Sequence, residues 1–324
     1  MERVTRRDAG PRLVALGGGT GLSTLLRAAK KLPLASLAAI VTVTDDGGSS
    51  GRLRREYKMP PPGDVRNCLA ALAEDDALMT RLFEHRYPGE GPTGGHSFGN
   101  LFMTALHQIT GDFPSAVRSA ADVLRVRGTV LPATGEDVQL VAEGRSGRPL
   151  VGETAITRGG PPRKLRLVPA DPAALPEAVA AIAAADLLVL GPGSLYTSVI
   201  PNLLVPGLRA AVAHSPARRV YVANLVTQPG ETDAFDLGRH VAELAAYAPD
   251  VRLDVVLANS SPLPGLLAAH YRESGAEPVA APARWDGPGR LEVRPLLATT
   301  PEGTVRHDPD LLAAALAPLV GVPA

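Results

Sequence analysis

Only one cysteine, Cys68, occurs in 324 residues. That excludes an internal disulfide and a thiolate metal cage, and it fits a reducing compartment. The expected place of Cys68 is a buried helix face. Aromatic residues make up 4% of the chain, with a single tryptophan, Trp285. This is too few for the stacking platforms of a single-strand nucleic-acid binder or for a grip on a large flavin-like ring. Charge of neither sign dominates: formal net charge is zero, so no electrostatic footprint for nucleic acid or acidic membrane is present. No run approaches the ~20 apolar residues of a membrane span. The N-terminus is basic (Arg3, Arg6, Arg7, Arg12), but the apolar run after it, Leu13 to Leu16, is too short for a signal-peptide core. A soluble, cytoplasmic protein is the expectation. HExxH, CxxC and Walker GxxxxGK[ST] patterns are all missing, which leaves zincin, thioredoxin-like and P-loop chemistry without support.

What is present reads as one mixed α/β domain over 1–324. Apolar residues form 45% and charged residues 20%, enough to bury a sizeable core. Leu13 to Leu16 reads as a buried strand, Gly17 to Gly21 as a loop, and Leu22 to Leu32 as a helix with Leu22, Leu25, Leu26 and Ala29 on one face. Leu37 to Thr44 is a near-continuous β-rich run, as in a strand covered on both faces. A β-loop-α-β unit of this kind implies a right-handed parallel crossover. Asp45 to Gly51 reads as a loop, Arg54 and Arg55 as a solvated face, and Asp64 as the N-cap of a helix to Ala73. Helices follow at 77–85, 98–109 and 114–124. From Thr129 to Val168 short β-like runs split by Gly and Pro predict a small β-rich insertion. The alternation then resumes with helices at 175–185, 236–247, 263–271 and 309–317 and strands at 187–190, 219–223 and 253–257. The expected fold is a Rossmann-like parallel sheet with helices on both faces.

In such sheets ligands bind beyond the carboxyl ends of the strands, where three loops fall. GGGTGLS fits the first two glycines of a dinucleotide fingerprint at Gly17 and Gly19 but has Leu22 at the third. Its amides open a helix N-terminus to phosphate, with Thr20 and Ser23 as hydroxyl donors. Asp45 and Asp46 end the next strand, where an acidic side chain grips ribose hydroxyls or holds Mg²⁺ against a diphosphate. Gly191 to Ser198 repeats the first design of strand, glycines and hydroxyls, and Tyr196 is placed either to cover a base or sugar or to pack. Asp64, Arg66 and Asn67 open one further helix, and His96, Ser97 and Asn100 another.

Together VALGGGTGLSTLLR, TVTDDGGSSGRLRRE, PPPGDVRN, GHSFGN, VRGTVLPAT, GPGSLYTSVIPNLLVPG, TQPGETD and TVRHDP resemble the YvcK-type gluconeogenesis factor family, within the CofD-like superfamily that includes 2-phospho-L-lactate transferase. The resemblance runs in order over nearly the whole chain. It implies a Rossmann-like core with an added subdomain. It also implies a role in cell shape, peptidoglycan precursor balance and growth on gluconeogenic carbon, with a UDP-sugar as ligand. The transferase branch moves a phospholactyl group from a guanosine diphospho-donor to a deazaflavin with Mg²⁺. This chain departs from that branch at GGSSGRLRRE. The positions that match are Gly18, Gly19, Thr20, Asp45, Asp46, Asn67, His96, Ser97, Asn100, Gly193, Ser194 and Thr197, with Asp45 as the metal candidate. Tyr271 and Arg306 join them as pieces of a nucleotide pocket, the arginine pairing a diphosphate and the tyrosine stacking on uracil.

Three functions compete. The first is a regulatory nucleotide-sugar binder that responds by changing conformation or assembly, expected as a homo-oligomer. The second is a Mg²⁺-dependent transferase of the phospholactate type. The third is an NAD-dependent oxidoreductase, ranked last because no proton-relay pair is evident.

Overall fold

The computed structural model describes residues 10–74 and 77–321; Arg3, Arg6 and Arg7 of the basic N-terminus lie outside them. The first strand, β1 (Arg12–Gly17), is buried from Leu13 onward, because it runs down the middle of the main sheet. Helix α1 (Gly19–Ala29) follows, burying Leu22, Leu25, Leu26 and Ala29, the face that the leucine spacing predicts. Then come β2 (Ser36–Val41), α2 (Gly48–Tyr57), α3 (Gly63–Leu72), α4 (Ala77–Glu84), α5 (Phe98–Thr110) and α6 (Phe113–Val123). Strand β3 (Thr129–Pro132) closes this half. A small sheet of β4 (Gln139–Glu143), β5 (Pro149–Val151) and β6 (Lys164–Val168) is inserted next, with α7 (Glu153–Arg158) inside it.

The second half contains α8 (Pro176–Ala184), β7 (Leu187–Leu190), a wide helical turn at Leu195–Val199, α9 (Ile200–Leu203) and α10 (Pro206–His214). After these come β8 (Arg218–Val222), α11 (Leu237–Tyr247), β9 (Val255–Asn259) and α12 (Gly265–Glu273). The chain closes with β10 (Arg290–Arg294), the hairpin of β11 (Leu297–Thr299) and β12 (Val305–His307), and α13 (Pro309–Leu316).

The main sheet has seven parallel strands in the order β10-β9-β8-β7-β1-β2-β3. Leu13 of β1 lies opposite Leu37 on one side and Leu187 on the other. From this central strand the chain steps outward in both directions. Right-handed crossovers therefore put the two sets of helices on opposite faces: α1, α3 and α13 pack together, and α8 packs with α10. The expected α/β fold is present, and β1 and β7 flank the point where strand order reverses. A crevice opens there between the strand ends.

Four expectations change. Thr129–Pro132, expected inside the β-rich insertion, pairs in parallel with β2 as the edge of the main sheet, so the separate small sheet begins only at Gln139. The loop expected over 45–51 becomes α2 from Gly48; its buried residues include Ser49, Ser50 and Arg54, so it carries no apolar stripe to betray it. Arg54 is not on a solvated face: it pairs with Asp137 at 2.7 Å and donates to the Val138 carbonyl at 2.7 Å. Asp64 is not a cap, because α3 starts one residue earlier behind Pro62 and has no side-chain cap bond.

Candidate functional site

The glycine loop after β1 and the loop after β7 touch. A Cβ on Gly21 would stand 2.3 Å from the Pro192 carbonyl oxygen, and one on Gly18 would stand 2.6 Å from Asp64 Oδ2 and 2.8 Å from Thr42 Cγ2. At Gly21 the obstacle is backbone, so only glycine fits; at Gly18 it is the ends of two side chains. Between the loops lies a cavity of about 310 Å³, lined by Gly18 to Gly21, Pro192 to Ser194, Asn224 to Val226, Gln228 and Val305 to His307, with Asp64 and Glu153 at one side.

The N-terminus of α1 opens into this cavity. Its N-cap is Gly18, which has no side chain to cap the helix, and its first turn holds no acidic residue. First-turn amides of a helix have no intrahelical acceptor, and the helix dipole favours negative charge there. Asp64 accepts from the Gly19 amide, which holds the turn open beside Thr20. Arg306 lies on the cavity wall, and among the described residues no carboxylate pairs with it. Tyr271 is not on the wall. Its hydroxyl accepts from the Val305 amide at 3.0 Å, so it anchors the strand that carries Arg306 rather than presenting a ring for stacking.

The second glycine loop differs from the first, against expectation. The wide turn that begins at Leu195 is closed by Glu231, whose carboxylate accepts from the Tyr196 amide at 2.8 Å and from the amide of Thr197. The Gly193 amide donates to Asn224 Oδ1 at 3.1 Å, and Ser194 Oγ accepts from Gln228 Nε2 at 2.7 Å. A protein carboxylate thus holds the place where the repeated design expects an anion. Thr197 is fully buried behind the wall. Tyr196 packs edge-on against Phe235 and Tyr247, which decides its role as packing.

Asp64 and Glu153 bring acid to the cavity. Burial, then the charge of Asp45, pushes the Asp64 carboxyl up to about 7. Burial, then the charges of Asp64 and Asp45, pushes Glu153 up to about 9. Around neutral pH these groups hold protons much of the time, which reduces their repulsion of a bound anion.

The remaining residues named from the sequence lie outside the cavity wall. Asp45 accepts from the Gly47 amide at 2.8 Å and from Ser50, and burial raises its pKa. Asp46 accepts from the amide and hydroxyl of Thr154, both at 3.0 Å, and so caps α7 from across the fold. Asn67 accepts from Arg66 at 2.6 Å. His96, Ser97 and Asn100 form a separate buried network: His96 Nδ1 meets Ser49 Oγ at 2.8 Å, Asn100 Nδ2 donates to the same oxygen at 3.0 Å, and Ser97 caps α5. Burial and the nearby Arg52 hold His96 below its ordinary pKa.

Three comparisons with known proteins bear on the family of this chain. The description "2-phospho-L-lactate transferase CofD" matches residues 13–293. The Bacillus subtilis gluconeogenesis factor is 44% identical over 312 residues, covering 96% of this chain and 98% of that protein. The chain belongs to the CofD family, in its gluconeogenesis-factor branch. A gluconeogenesis factor from Halalkalibacterium halodurans is 46% identical over 268 residues, covering 82% of this chain and 83% of that one. A crystal structure of a Bacillus halodurans protein superposes with a TM-score of 0.90 at 41% identity, covering 95% of this chain and 99% of that one.

Glu153, Asn224, Gln228, Glu231 and His307 are the residues that family motifs and spacing did not single out. Gln228 and Glu231 sit in TQPGETD and His307 in TVRHDP, so those strings held the signal. Glu153 has none, because only the docking of the small sheet brings it to the cavity. Among the described residues no helix is long and apolar enough to cross a membrane.

Proposed function

We propose that this CofD-family protein binds a nucleotide diphosphate, as a sugar nucleotide, with the diphosphate on the N-terminus of α1. In this reading it acts as a regulatory factor of the gluconeogenesis-factor type, serving cell shape and peptidoglycan precursor balance. The observation that carries the reading is the glycine-led start of α1 facing a cavity that also holds Arg306. A diphosphate there meets backbone donors, the positive end of the dipole and a guanidinium. The cavity falls within the size range of small-molecule sites. The test is calorimetric titration of the full chain with UDP-glucose, UDP, GDP and NAD. Micromolar or tighter binding of a nucleoside diphosphate or its sugar supports the reading, and silence with all four overturns it.

NAD fits less well. The acidic residues at the end of β2, where a dinucleotide fold grips ribose, are engaged with Gly47 and Thr154 and are absent from the wall.

The match to a transferase supports a second reading, group transfer at the same cavity. The residues present do not fit a resident Mg²⁺: Asp45 is held by Gly47 and Ser50, and among the described residues no three His, Cys, Asp or Glu side chains come together as a metal-binding set. Among the described residues, Asp64 and Glu153 alone offer carboxyl oxygens at the cavity, both biased toward their protonated forms. Turnover of a guanosine diphospho-donor with a deazaflavin acceptor and added magnesium would establish this reading over the first.

A further inference from the structure

The zero net charge of the chain hides a local imbalance. Residues 139–168, which form the small sheet and α7, hold six cations and two carboxylates. Glu153 lines the cavity, which leaves Glu143 as the exposed carboxylate of this insertion. Strand register gathers five of the cations at one end of the sheet. Lys164 opens β6 opposite Glu143, the last residue of β4. The turn after Glu143 carries Arg145 and Arg148 and is closed by the Gly144 amide on the Arg148 carbonyl at 2.9 Å. Arg163, just before β6, donates its amide to the Glu143 carbonyl at 2.8 Å. Within β6, Leu165 and Leu167 are buried whereas Lys164, Arg166 and Val168 are exposed, so Lys164 and Arg166 share the outer face about 6.5 Å apart. A hollow of about 300 Å³ lies against them, floored by Val141 and Pro149. All five cations are exposed, and among the described residues none of them forms an ion pair.

Strand β6 is also an open edge. The small sheet runs β5-β4-β6, and among the described residues β6 pairs with β4 alone. No backbone hydrogen bond outside that ladder involves Lys164–Val168. An open edge is a template for an added strand. The side chains of such a strand stand opposite those of its neighbour, where unlike charges attract, and arginine matches a carboxylate bidentately. Glu143 favours a peptide over a phosphate polyanion, because a peptide brings N–H donors to it and a phosphate only repels it. Residues 139–168 hold no aromatic side chain, which removes both base stacking and the interfacial anchors of a membrane-bound face. We propose that the edge of β6 docks an extended acidic segment of a partner protein. The segment adds as a strand, with alternate carboxylates against Lys164 and Arg166 and one end among Arg145, Arg148 and Arg163. This surface stands or falls independently of the nucleotide reading.

The experiment measures fluorescence anisotropy of the full chain with a labelled peptide of alternating aspartate and threonine, about eight residues long. Two further peptides carry N-methyl groups on every aspartate or on every threonine; they keep the charge, and one of them loses the amides that face β6. Saturable binding is expected, weakened about tenfold or more by one of the two methylation patterns. The double variant Lys164→Glu with Arg166→Glu is expected to lose about tenfold or more as well. The methylated peptides are tested on the unaltered chain, so the proposal remains falsifiable if the double variant fails to fold. Equal affinity for all three peptides would show attraction by charge alone and overturns the added strand. Duplex DNA of about 20 base pairs and phosphatidylglycerol vesicles serve as the competing polyanions, and tighter binding of either overturns the choice of a peptide. Absence of binding to every probe overturns the docking edge and leaves the cations as guards against strand pairing.

Discussion

A methyl group at Gly21 would meet the backbone of Pro192, not a side chain that can swing aside. Gly21→Ala therefore has to push the two glycine loops apart. A loss of about 1–3 kcal/mol is expected, read by urea denaturation, together with weaker nucleotide binding; an unchanged midpoint would show that the loops are not in contact. The acids predict a pH response. Asp64 and Glu153 have folded pKa values of about 7 and about 9, above their ordinary 3.8 and 4.5. Folding takes up protons between these limits, so their share of stability is full below pH about 4 and is lost as pH rises through 7 and then 9. Glu153→Gln cannot ionise. It should match wild type near pH 4 and become progressively more stable than wild type toward pH 9, as measured by denaturation across pH. His307 has the opposite sign: depressed from 6.5 to about 4, its share is present above 6.5 and lost as pH falls through 4. The glycines of the first loop could be read in advance because their spacing and their place after a strand already mark the turn into a helix N-terminus. The shifted titration of Asp64, Glu153 and His307 could not, since a carboxyl or an imidazole acquires its properties from burial, and burial is set by elements distant in sequence.

Helix α7 shows how one element is placed by another. Its N-cap is Gly152, which has no side chain to cap it, and Asp46 from the end of β2 reaches across to do so. Asp46→Ala should cost about 1 kcal/mol, as helix-cap deletions do, and hydrogen exchange should rise in Glu153–Arg158 with the central strands unchanged. Equal exchange in that helix would show that the cap does not hold it. Glu231 does comparable work for the turn after Ser194, accepting from the amides of Tyr196 and Thr197 while fully buried. Glu231→Ala leaves two buried donors unsatisfied and should cost about 2–3 kcal/mol; Glu231→Gln keeps an acceptor and should cost less. Elements with strong patterns were evident from the sequence: Leu187–Leu190 as an unbroken apolar run and Phe98–Thr110 with a serine cap and terminal glycine. Helix α2 was not, because it turns polar residues inward against other polar groups. Strands β11 and β12, at three residues each, are too short to show an alternation, yet β12 carries Arg306 and His307 into the cavity.

The chain folds outward from β1 in two directions, and its halves meet again only at the strand ends. The first half contributes the start of α1 and Asp64 to the cavity. The second contributes Pro192 to Ser194, Asn224 to Gln228 and, through the β11–β12 hairpin, Arg306. A ligand held by both groups joins the halves, whereas one held by the start of α1 alone joins nothing. The two cases separate experimentally. Any ligand that binds only the folded state stabilises it by about 2.7 kcal/mol at a hundredfold excess over Kd, so a rise in melting temperature alone does not show bridging. Protection from hydrogen exchange does, because it is local. With a saturating nucleoside diphosphate, slowed exchange is expected both in the first turn of α1 and in Leu225–Gln228 and Val305–His307. Inorganic pyrophosphate is expected to protect α1 while leaving Leu225–Gln228 unaltered, since it has no base to reach that wall. Protection confined to α1 with every ligand would mean that the cavity acts as an anion site of the first half alone, and the convergence of the two loops would then serve packing and not recognition.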